Sequence, residues 1–367
     1  MTDPQHPTGP TEAPGPTGPA EPPAATRAAA PSAAHPTTPP GGAPQPALQG
    51  DARRTRDALV ALRAEIAKAV VGQDGAVTGL IIALVAGGHA LLEGVPGVAK
   101  TLLVRTMATA LDMRMARVQF TPDLMPADIT GSLVWDAGTS TFEFREGPVF
   151  TNLLLADEIN RTPPKTQSAL LEAMEEHQVT VDGQSHPLDD PFMVIATQNP
   201  VEYEGTYPLP EAQLDRFLLK LDLPLPDRAA EIEVVSRHLA GFDPLELAGA
   251  GVHAVAGPAD IRAARDHAAQ VVVEPAVIGY IVDLVQATRV SPSLRLGVSP
   301  RGATALLRTS RVWAFLQGRS FVTPDDVKAM AVSTLAHRVS MRAEADLEGI
   351  TARGVIEGLL ASVPVPR

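Results

Sequence analysis

Hydrophobic positions follow two different spacing patterns along the chain, one in its middle and one in its last third. Between residues 89 and 225, short apolar runs alternate with stretches of helical spacing, and the runs are residues 89–93, 114–120, 153–156, 192–197 and 218–225. Dense apolar runs of this length are typical of strands buried on both faces. Strands that alternate with helices form parallel sheets. The pattern therefore predicts an α/β fold with a parallel five-stranded sheet flanked by helices.

The other patterned segments are helical. Leu59, Leu62 and Ile66 recur at helical spacing, so we expect amphipathic helices over residues 51–70 and 75–86. Beyond Pro226 the strand-like runs stop, and the spacing predicts helices over residues 229–240, 259–270, 275–290, 300–317 and 324–337. These patterns predict two units: an α/β core over residues 51–226 and an all-helical lid over residues 227–367.

Two short hairpins are predicted as inserts within the core. In the first, residues 133–135 and 142–144 flank a turn of Asp, Ala, Gly and Thr at residues 136–139. In the second, residues 178–181 and 186–188 flank Asp-Gly at residues 182–183, a strong two-residue turn signal.

The first 50 residues differ from the rest in composition. They hold 14 of the 35 prolines and a single leucine, Leu48. Such a segment cannot bury enough apolar surface to offset the entropy of ordering it. We expect a disordered tail over residues 1–50, with a solvated extension as its simplest role and a tether as the alternative.

Composition and charge exclude several classes of protein. The 367-residue chain has no cysteine, which excludes disulfide frameworks, cysteine-ligated zinc and cysteine nucleophiles. Its net charge of −12 argues against a broad electrostatic surface for nucleic acid. No apolar run approaches the roughly 18–20 residues of a membrane span, and residues 1–10 lack the basic and apolar parts of a signal peptide. A cytoplasmic location is the expectation.

A glycine-rich loop between a predicted strand and a predicted helix indicates a phosphate site. Glycines let backbone N–H groups turn toward phosphate oxygens, and the helix that follows presents the positive end of its dipole. Lys100 would reach the β and γ oxygens of a nucleotide, and the Thr101 hydroxyl would ligate Mg²⁺. The usual last glycine before the lysine is replaced by Ala99. The loop residues are Gly94, Val95, Pro96, Gly97, Val98, Ala99, Lys100 and Thr101.

Polar side chains at the ends of two other strands complete a catalytic set. Asp157 and Glu158 directly follow the apolar residues 153–156. Asp157 would hold Mg²⁺ through water, and Glu158 would act as the general base for an attacking water. Asn199 follows the 192–197 strand, where it would contact the γ-phosphate or position the water; a turn-capping role is the alternative.

Two arginines are candidates for stabilising charge in the transition state. Arg216 lies just before the fifth strand, and Arg301 opens a predicted helix of the lid. The guanidinium group is a fixed, permanently charged fork that suits phosphoryl oxygens. For either residue alone, a surface salt bridge is the competing interpretation.

Taken together, these residues resemble the AAA+ ATPases and, within them, the MoxR family, over roughly residues 55–340. The loop at residues 94–101 is similar to the MoxR form of the Walker A motif, in which alanine before the lysine is usual. Residues 117–126 and 198–213 resemble strings that are close to diagnostic of the family.

The resemblance implies roles for individual residues. Asp157 and Glu158 would form the Walker B motif, and Asn199 would be sensor 1. Arg301 would be sensor 2 and touch the γ-phosphate of its own subunit. Arg216 would be the arginine finger that reaches the neighbouring subunit's nucleotide.

The resemblance also implies a base-binding segment and a further interface residue. Gly72 and Gln73, after Val71, would contact adenine. Arg161 would lie either at the subunit interface or simply on the surface, so the choice between Arg161 and Arg216 as the finger stays open.

The family picture is a homo-oligomer, a hexameric ring with ATP and Mg²⁺ at each subunit interface. A lone subunit would hydrolyse ATP poorly, because one catalytic arginine comes from its neighbour. The two hairpins would be the helix-2 insert and the pre-sensor-1 insert, which press on a client. MoxR proteins are thought to act as chaperone-like factors that mature protein complexes, and their partners often carry a von Willebrand factor type A domain.

Other functions remain to be weighed against this one. A nucleic-acid motor would need basic hairpins, but the first has Arg145 beside Asp136, Glu143 and Glu146, and the second has no lysine or arginine. No nucleic acid is therefore expected as a partner. A regulatory ring with little turnover is disfavoured by Glu158. The sequence lacks the string with which GTPases recognise guanine, and it lacks the paired histidine spacing of a metalloenzyme.

Overall fold

The computed structural model describes residues 48–198 and 206–366. The tail predicted over residues 1–50 lies outside the described residues except for its last three positions. The helices are α1 Gly50–Ala67, α2 Asp74–Val85, α3 Lys100–Ala110, α4 Pro126–Thr130, α5 Pro164–Glu176, α6 Glu211–Leu214, α7 Arg228–Leu239, α8 Pro258–Ala269, α9 Pro275–Val290, α10 Pro300–Leu316, α11 Pro324–Leu335, α12 Ala343–Leu347 and α13 Ala352–Ser362. The strands are β1 Ala90–Glu93, β2 Met115–Gln119, β3 Gly131–Asp136, β4 Thr141–Glu146, β5 Leu153–Asp157, β6 Gln178–Val181, β7 Gln184–Pro187, β8 Met193–Gln198, β9 Leu219–Asp222, β10 Leu294–Leu296 and β11 Ser340–Met341.

The central sheet has five strands in the order β2-β5-β8-β1-β9, and every neighbouring pair is parallel. This confirms the predicted sheet. Because all strands point the same way, their last residues meet along one edge and their first residues along the opposite edge. We call these the carboxyl edge and the amino edge.

Apolar residues cover the sheet on both faces. Along β5, Leu153 and Leu155 belong to one buried cluster, whereas Leu154 and Ala156 belong to a second. The alternation follows from the two-residue period of a strand. The first cluster includes residues of α1, α2, α3 and several C-terminal helices, and the second includes residues of α5. The sheet is therefore a rigid platform for residues placed at either edge.

Both predicted hairpins are present. β3 pairs antiparallel with β4, and β6 pairs with β7 across Asp182 and Gly183, which both have positive φ. The first hairpin is longer than the predicted 133–135 and 142–144. Its Trp135 and Phe142 side chains are 52% and 66% exposed, and their ring centroids lie 5.1 Å apart.

The C-terminal region is helical, as predicted, and contains one small addition. α9 ends before Ser291 and Pro292, and the chain then runs extended, so that β10 forms a short antiparallel ladder with β11. α7 has no buried residue. The described residues form one compact unit by their contacts, and the division near residue 226 stays a prediction. Within the described ranges, none of the helices has the length and apolarity that crossing a membrane requires.

Candidate nucleotide-binding site

The loop between β1 and α3 is shaped by its glycines. A Cβ on Gly94 would lie 2.8 Å from the carbonyl oxygen of Leu223, so only glycine fits beside the residue that follows β9. Gly97 has φ +89°, a left-handed conformation that other residues rarely adopt, and a Cβ there would meet nothing within 4 Å. The loop is thus tight against the sheet on one side and open on the other, as a phosphate-binding loop requires.

Ala99 does not disrupt this loop. It adopts a left-handed conformation, φ 60° and ψ 27°, at the N-cap of α3. Left-handed backbone costs a residue with a Cβ about 1–2 kcal/mol, which a packed loop can hold. The first N–H groups of α3 have no partners within the helix and face the loop. The substitution of the usual glycine therefore leaves the anion-binding geometry in place.

Lys100 lies between the loop and the end of β8. Its Nζ donates to the carbonyl oxygen of Gly94 and, at 3.4 Å, to that of Gln198. Partial burial lowers the pKa of Lys100, and the negative charges of Asp157, Glu158 and Glu93 oppose that shift. A cation held among backbone carbonyls at the loop is placed to receive phosphate oxygens.

Asp157 ends β5 between two strands that both contact it. Its Oδ1 accepts from Thr197 Oγ1 at 2.6 Å, and its Oδ2 accepts from Arg117 Nη2 at 2.7 Å. The described residues include no group of three or more His, Cys, Asp or Glu side chains that could hold a metal. Mg²⁺ commonly uses one or two protein oxygens, with phosphates and waters as its other ligands. The Asp157 carboxylate and the Thr101 hydroxyl are oxygen donors of this kind, and they fit Mg²⁺ bound with a nucleotide.

Glu158 is held in a strained backbone conformation, with φ 59° and ψ 50°. Its N–H donates to Thr197 Oγ1 at 2.8 Å, so the Thr197 hydroxyl contacts both acids. Its Oε2 accepts from Gln119 Nε2 at 2.8 Å and lies 3.1 Å from Arg161 Nε. The carboxylate thus has a defined position at the carboxyl edge.

Motif reasoning did not single out Gln119 and Thr197. Both lie at the ends of strands that flank β5, and Gln119 is in register with Asp157. A polar residue at the end of a buried strand was the available signal, and the sequence analysis applied it to Asp157, Glu158 and Asn199 but not to these two residues. Asn199 is the one of the three that the structure does not describe, so its role stays a prediction.

An apolar cavity of about 500 Å³ adjoins the loop. Gln73 lines it, and Gln73 Nε2 donates to the carbonyl oxygen of Pro224 at 3.1 Å, while its Oε1 is buried without a partner. Gly72, next to it, has φ +76° and packs near Ala230. The cavity suits a flat, largely apolar ring such as a purine. Its other lining residues include Val70, Val98, Leu102, Val235, His238 and Phe242.

Arg216 and Arg301 lie together, but at the amino edge. Arg216 Nη2 and Arg301 Nη1 each lie 3.1 Å from an oxygen of Glu175, at the end of α5. They line a cavity of about 230 Å³ whose wall includes Gly87, Gly88 and His89, directly before β1. Arg308 and Arg338 line the same cavity, which gives it a strongly positive wall.

Arg301 lies away from the phosphate loop of its own chain, so the expected contact to a phosphate in its own subunit stays a prediction. Lys100 and the loop follow β1, whereas Arg301 lies beside the residues that precede it. From His89 to Gly94 the chain advances about 16 Å at the usual rise of a strand. The sequence motif around Arg301 does not specify how the C-terminal helices pack on the sheet. Arg161, in contrast, lies at the carboxyl edge beside Glu158.

Buried contacts tie the Arg216 segment to the C-terminal helices. Arg338 is 8% exposed, and it donates to the Asp215 carboxylate at 2.7 Å and to the carbonyl oxygen of Phe217 at 2.6 Å. Burial lowers the pKa of Arg338 to about 10, and Asp215 opposes that shift, so the side chain stays charged at neutral pH. Ser299 Oγ, at the start of α10, also donates to Asp215 at 3.3 Å. The two arginines are therefore carried by segments that hold each other.

Two family models match the segments that carry these residues. The model of the ATPase family associated with various cellular activities matches residues 89–219, which hold the loop, both acids and Arg216. The AAA lid domain model matches residues 286–358, which hold Arg301 and Arg338.

Relatives and a solved structure extend the match over most of the chain. YeaC of Bacillus subtilis, a protein described as uncharacterized, is 48% identical over 82% of this chain and 92% of its own. Chaperone MoxR1 of Mycobacterium tuberculosis is 40% identical over 83% and 81%, and protein MoxR of Methylorubrum extorquens is 35% identical over 86% and 98%. The crystal structure of a candidate ATPase from Cytophaga hutchinsonii matches with a TM-score of 0.79 and 41% identity, over 86% of this chain and 97% of that one. The chain belongs to the MoxR family of AAA+ ATPases.

Proposed function

We propose that the protein binds ATP with Mg²⁺ and hydrolyses it in a ring of identical subunits, and that the ring remodels or matures protein complexes. One observation supports this most directly. The residues that suit binding and water activation lie at the carboxyl edge, whereas Arg216 and Arg301 lie at the amino edge of the same chain. A second copy that presents its amino edge would supply the missing charge.

Within one chain, the loop and the adjoining cavity bind different parts of the nucleotide. Backbone N–H groups of the loop and Lys100 Nζ bind the phosphates. The apolar cavity takes the base, with Gln73 as a polar group in its wall. Thr101 and Asp157 would hold Mg²⁺, and the Asp157 oxygens are oriented by Thr197 and Arg117. Bound Mg²⁺ neutralises charge that develops on the phosphate oxygens.

Glu158 is the general base of the proposed reaction. Its carboxylate accepts the proton of the attacking water, while Gln119 and Arg161 fix its direction. Asn199, the expected sensor, would orient the same water.

Arg216, with Arg301 beside it, acts on the nucleotide of the neighbouring subunit. An arginine delivered in this way typically contributes about 10³–10⁵ to turnover. Because Arg161 lies at the phosphate-binding edge of its own chain, Arg216 is the better candidate for the finger. A head-to-tail contact of this kind gives a ring when the rotation between subunits closes, and the family resemblance suggests six subunits.

The exposed aromatic tip of the β3–β4 hairpin is the proposed contact to a protein client. Trp135 and Phe142 present apolar surface to solvent, as protein-binding sites commonly do. The relative MoxR1 is named a chaperone, and a more distant relative, GvpN of Haloferax mediterranei, is named a gas vesicle ATPase. A client or partner with a von Willebrand factor type A domain and a cytoplasmic location are predictions from the sequence.

The experiment is to measure ATP hydrolysis per chain as a function of protein concentration, with the assembly state followed by light scattering. The proposal expects the rate per chain to rise in parallel with association, because isolated chains lack the second half of the site. A rate per chain that stays constant down to fully dissociated protein would contradict it.

A further inference from the structure

Glu175 joins the two arginines through its two oxygens. Its Oε1 lies 3.1 Å from Arg301 Nη1, and its Oε2 lies 3.1 Å from Arg216 Nη2. One arginine precedes β9 and the other begins α10, so a single carboxylate bridges two distant parts of the chain.

The surroundings give this carboxylate a specific task. Two guanidinium groups repel each other at short range, and Arg308 adds a further positive charge to the same cavity wall. Burial lowers the pKa of Arg308, and the neighbouring Arg265 and Arg301 lower it further, which reflects the density of positive charge. Without a negative charge between them, the side chains of the pair would separate.

No other acid of that wall is available to hold the pair. Among the described residues that line the cavity, the acids are Glu175 and Asp215. Asp215 already accepts hydrogen bonds from Arg338 and Ser299. Glu175 therefore carries the whole task of keeping the two arginines together.

Glu175 is also attached to a fixed element. The preceding turn of α5 is anchored by Leu171 and Met174, which are buried in the second core cluster. A carboxylate on a packed helix holds its partners better than one on a loop, and a shared, two-oxygen contact orients them as well as neutralising them.

We propose that Glu175 is a positioning residue that keeps Arg216 and Arg301 paired at the face that meets the triphosphate of the next subunit. The inference rests on the proposed function, because it concerns how the second half of that site is assembled. Glu175 does not touch the nucleotide. It sets where the two guanidinium groups point before they meet the phosphate oxygens.

The test uses mixed assemblies in which only one kind of interface can work. Acceptor chains carry Arg216→Ala and Arg301→Ala and keep an intact phosphate loop. Donor chains carry Lys100→Ala and keep both arginines. Hydrolysis then occurs only where the amino edge of a donor meets the carboxyl edge of an acceptor.

Glu175→Gln is placed first in the donor and then in the acceptor. Gln preserves size but removes the charge, so in the donor we expect turnover to fall about tenfold to hundredfold with an unchanged KM for ATP. In the acceptor, whose arginines are absent, the same substitution should change nothing. Glu176→Gln, at the exposed neighbouring position, is the matched control and should have no effect in either chain.

The outcomes separate this inference from the function on which it rests. If donor and acceptor without further changes do not complement, the proposed function fails. If they complement and Glu175→Gln in the donor leaves turnover unchanged, or lowers it equally in either chain, the positioning role is overturned. Glu175→Asp keeps the charge on a shorter arm and serves as a second variant; the same donor-only loss is expected.

Discussion

The carboxyl and amino edges of the central sheet differ in the charge that they present. At the carboxyl edge, Asp157 and Glu158 lie beside a single lysine of the loop, Lys100, and a wide apolar cavity. At the amino edge, Arg216 and Arg301 share one carboxylate in a cavity lined by further arginines. Each edge has what the other lacks for phosphoryl transfer, and a strand's length separates them. On the proposed function, this difference means that one chain carries two half-sites that face different neighbours.

The largest effect is expected from removing the cation of the carboxyl edge. Lys100→Ala should weaken ATP binding by about a hundredfold or more and abolish hydrolysis, because phosphate charge would be left unpaired in a partly buried loop. Calorimetric titration with MgATP measures the affinity. Lys165→Ala, an exposed lysine at the start of α5, is the control and should bind ATP normally. Unchanged ATP affinity in Lys100→Ala would show that the loop does not bind the phosphates.

Removing the arginine of the amino edge should have a different signature. Arg216→Ala should lower turnover by about 10³ while leaving ATP affinity intact, because the residue acts on a neighbour's phosphate. Steady-state hydrolysis with separate binding measurements distinguishes the two effects. Arg228→Ala, an exposed arginine at the start of α7, should behave like the wild type. If ATP affinity falls by as large a factor as turnover, Arg216 contacts the nucleotide of its own chain.

The general base gives a smaller loss. Glu158→Gln should lower turnover by about 10²-fold with ATP still bound, because an amide cannot accept the proton of the attacking water. Single-turnover hydrolysis on preassembled protein measures this step. Turnover at the wild-type rate would exclude Glu158 from the base role.

Acid should lower the free energy of unfolding through two buried histidines at the amino edge. Burial lowers the pKa of His89 to about 4, and it also lowers that of His337. Since an unfolded histidine titrates near 6.5, the unfolded chain binds protons that the folded chain excludes, and stability is lost as the pH falls from about 6.5 toward 4. His89 alone accounts for about 1.4 kcal/mol per pH unit in that range, up to about 3 kcal/mol.

Urea unfolding at pH 7.5 and 5.5 measures this loss. In the structure the neutral His89 ring contacts the Met174 carbonyl oxygen at 3.0 Å and accepts from the N–H of Val194 at 2.9 Å. His89→Gln keeps a donor and an acceptor but cannot titrate. The free energy of unfolding of this variant should therefore change less with pH than that of the wild type, by the equivalent of about one bound proton. An equal pH dependence in both proteins would show that His89 is not the titrating group.

The carboxyl edge was largely predictable from the sequence, because its main residues lie in short contiguous motifs. The loop at residues 94–101 and the acids after residue 156 carry their chemistry and their strand context within a few positions. The parallel sheet followed from the spacing of apolar runs. Local sequence is enough to predict a feature that is formed by one strand and the turn that follows it.

The amino edge was not predictable in the same way. Arg301 was expected at the phosphate of its own subunit, but the packing of α10 on the sheet places it beside Glu175. At the carboxyl edge the same holds for Gln119 and Thr197, which reach the two acids only because β2 and β8 flank β5, an order that the sequence does not state. Contacts between distant segments depend on tertiary packing, and no motif in either segment encodes them.

The most direct test that each active site is built from two chains is to mix two inactive proteins, Lys100→Ala and Arg216→Ala. ATP hydrolysis is then followed after reassembly. Random mixing in equal amounts makes about one quarter of the interfaces intact, with a working loop from one chain and a working arginine from the other. If each active site is shared by two chains, hydrolysis returns in the mixture to a corresponding fraction of the wild-type rate. Mixed assemblies that remain as inactive as either parent would contradict it.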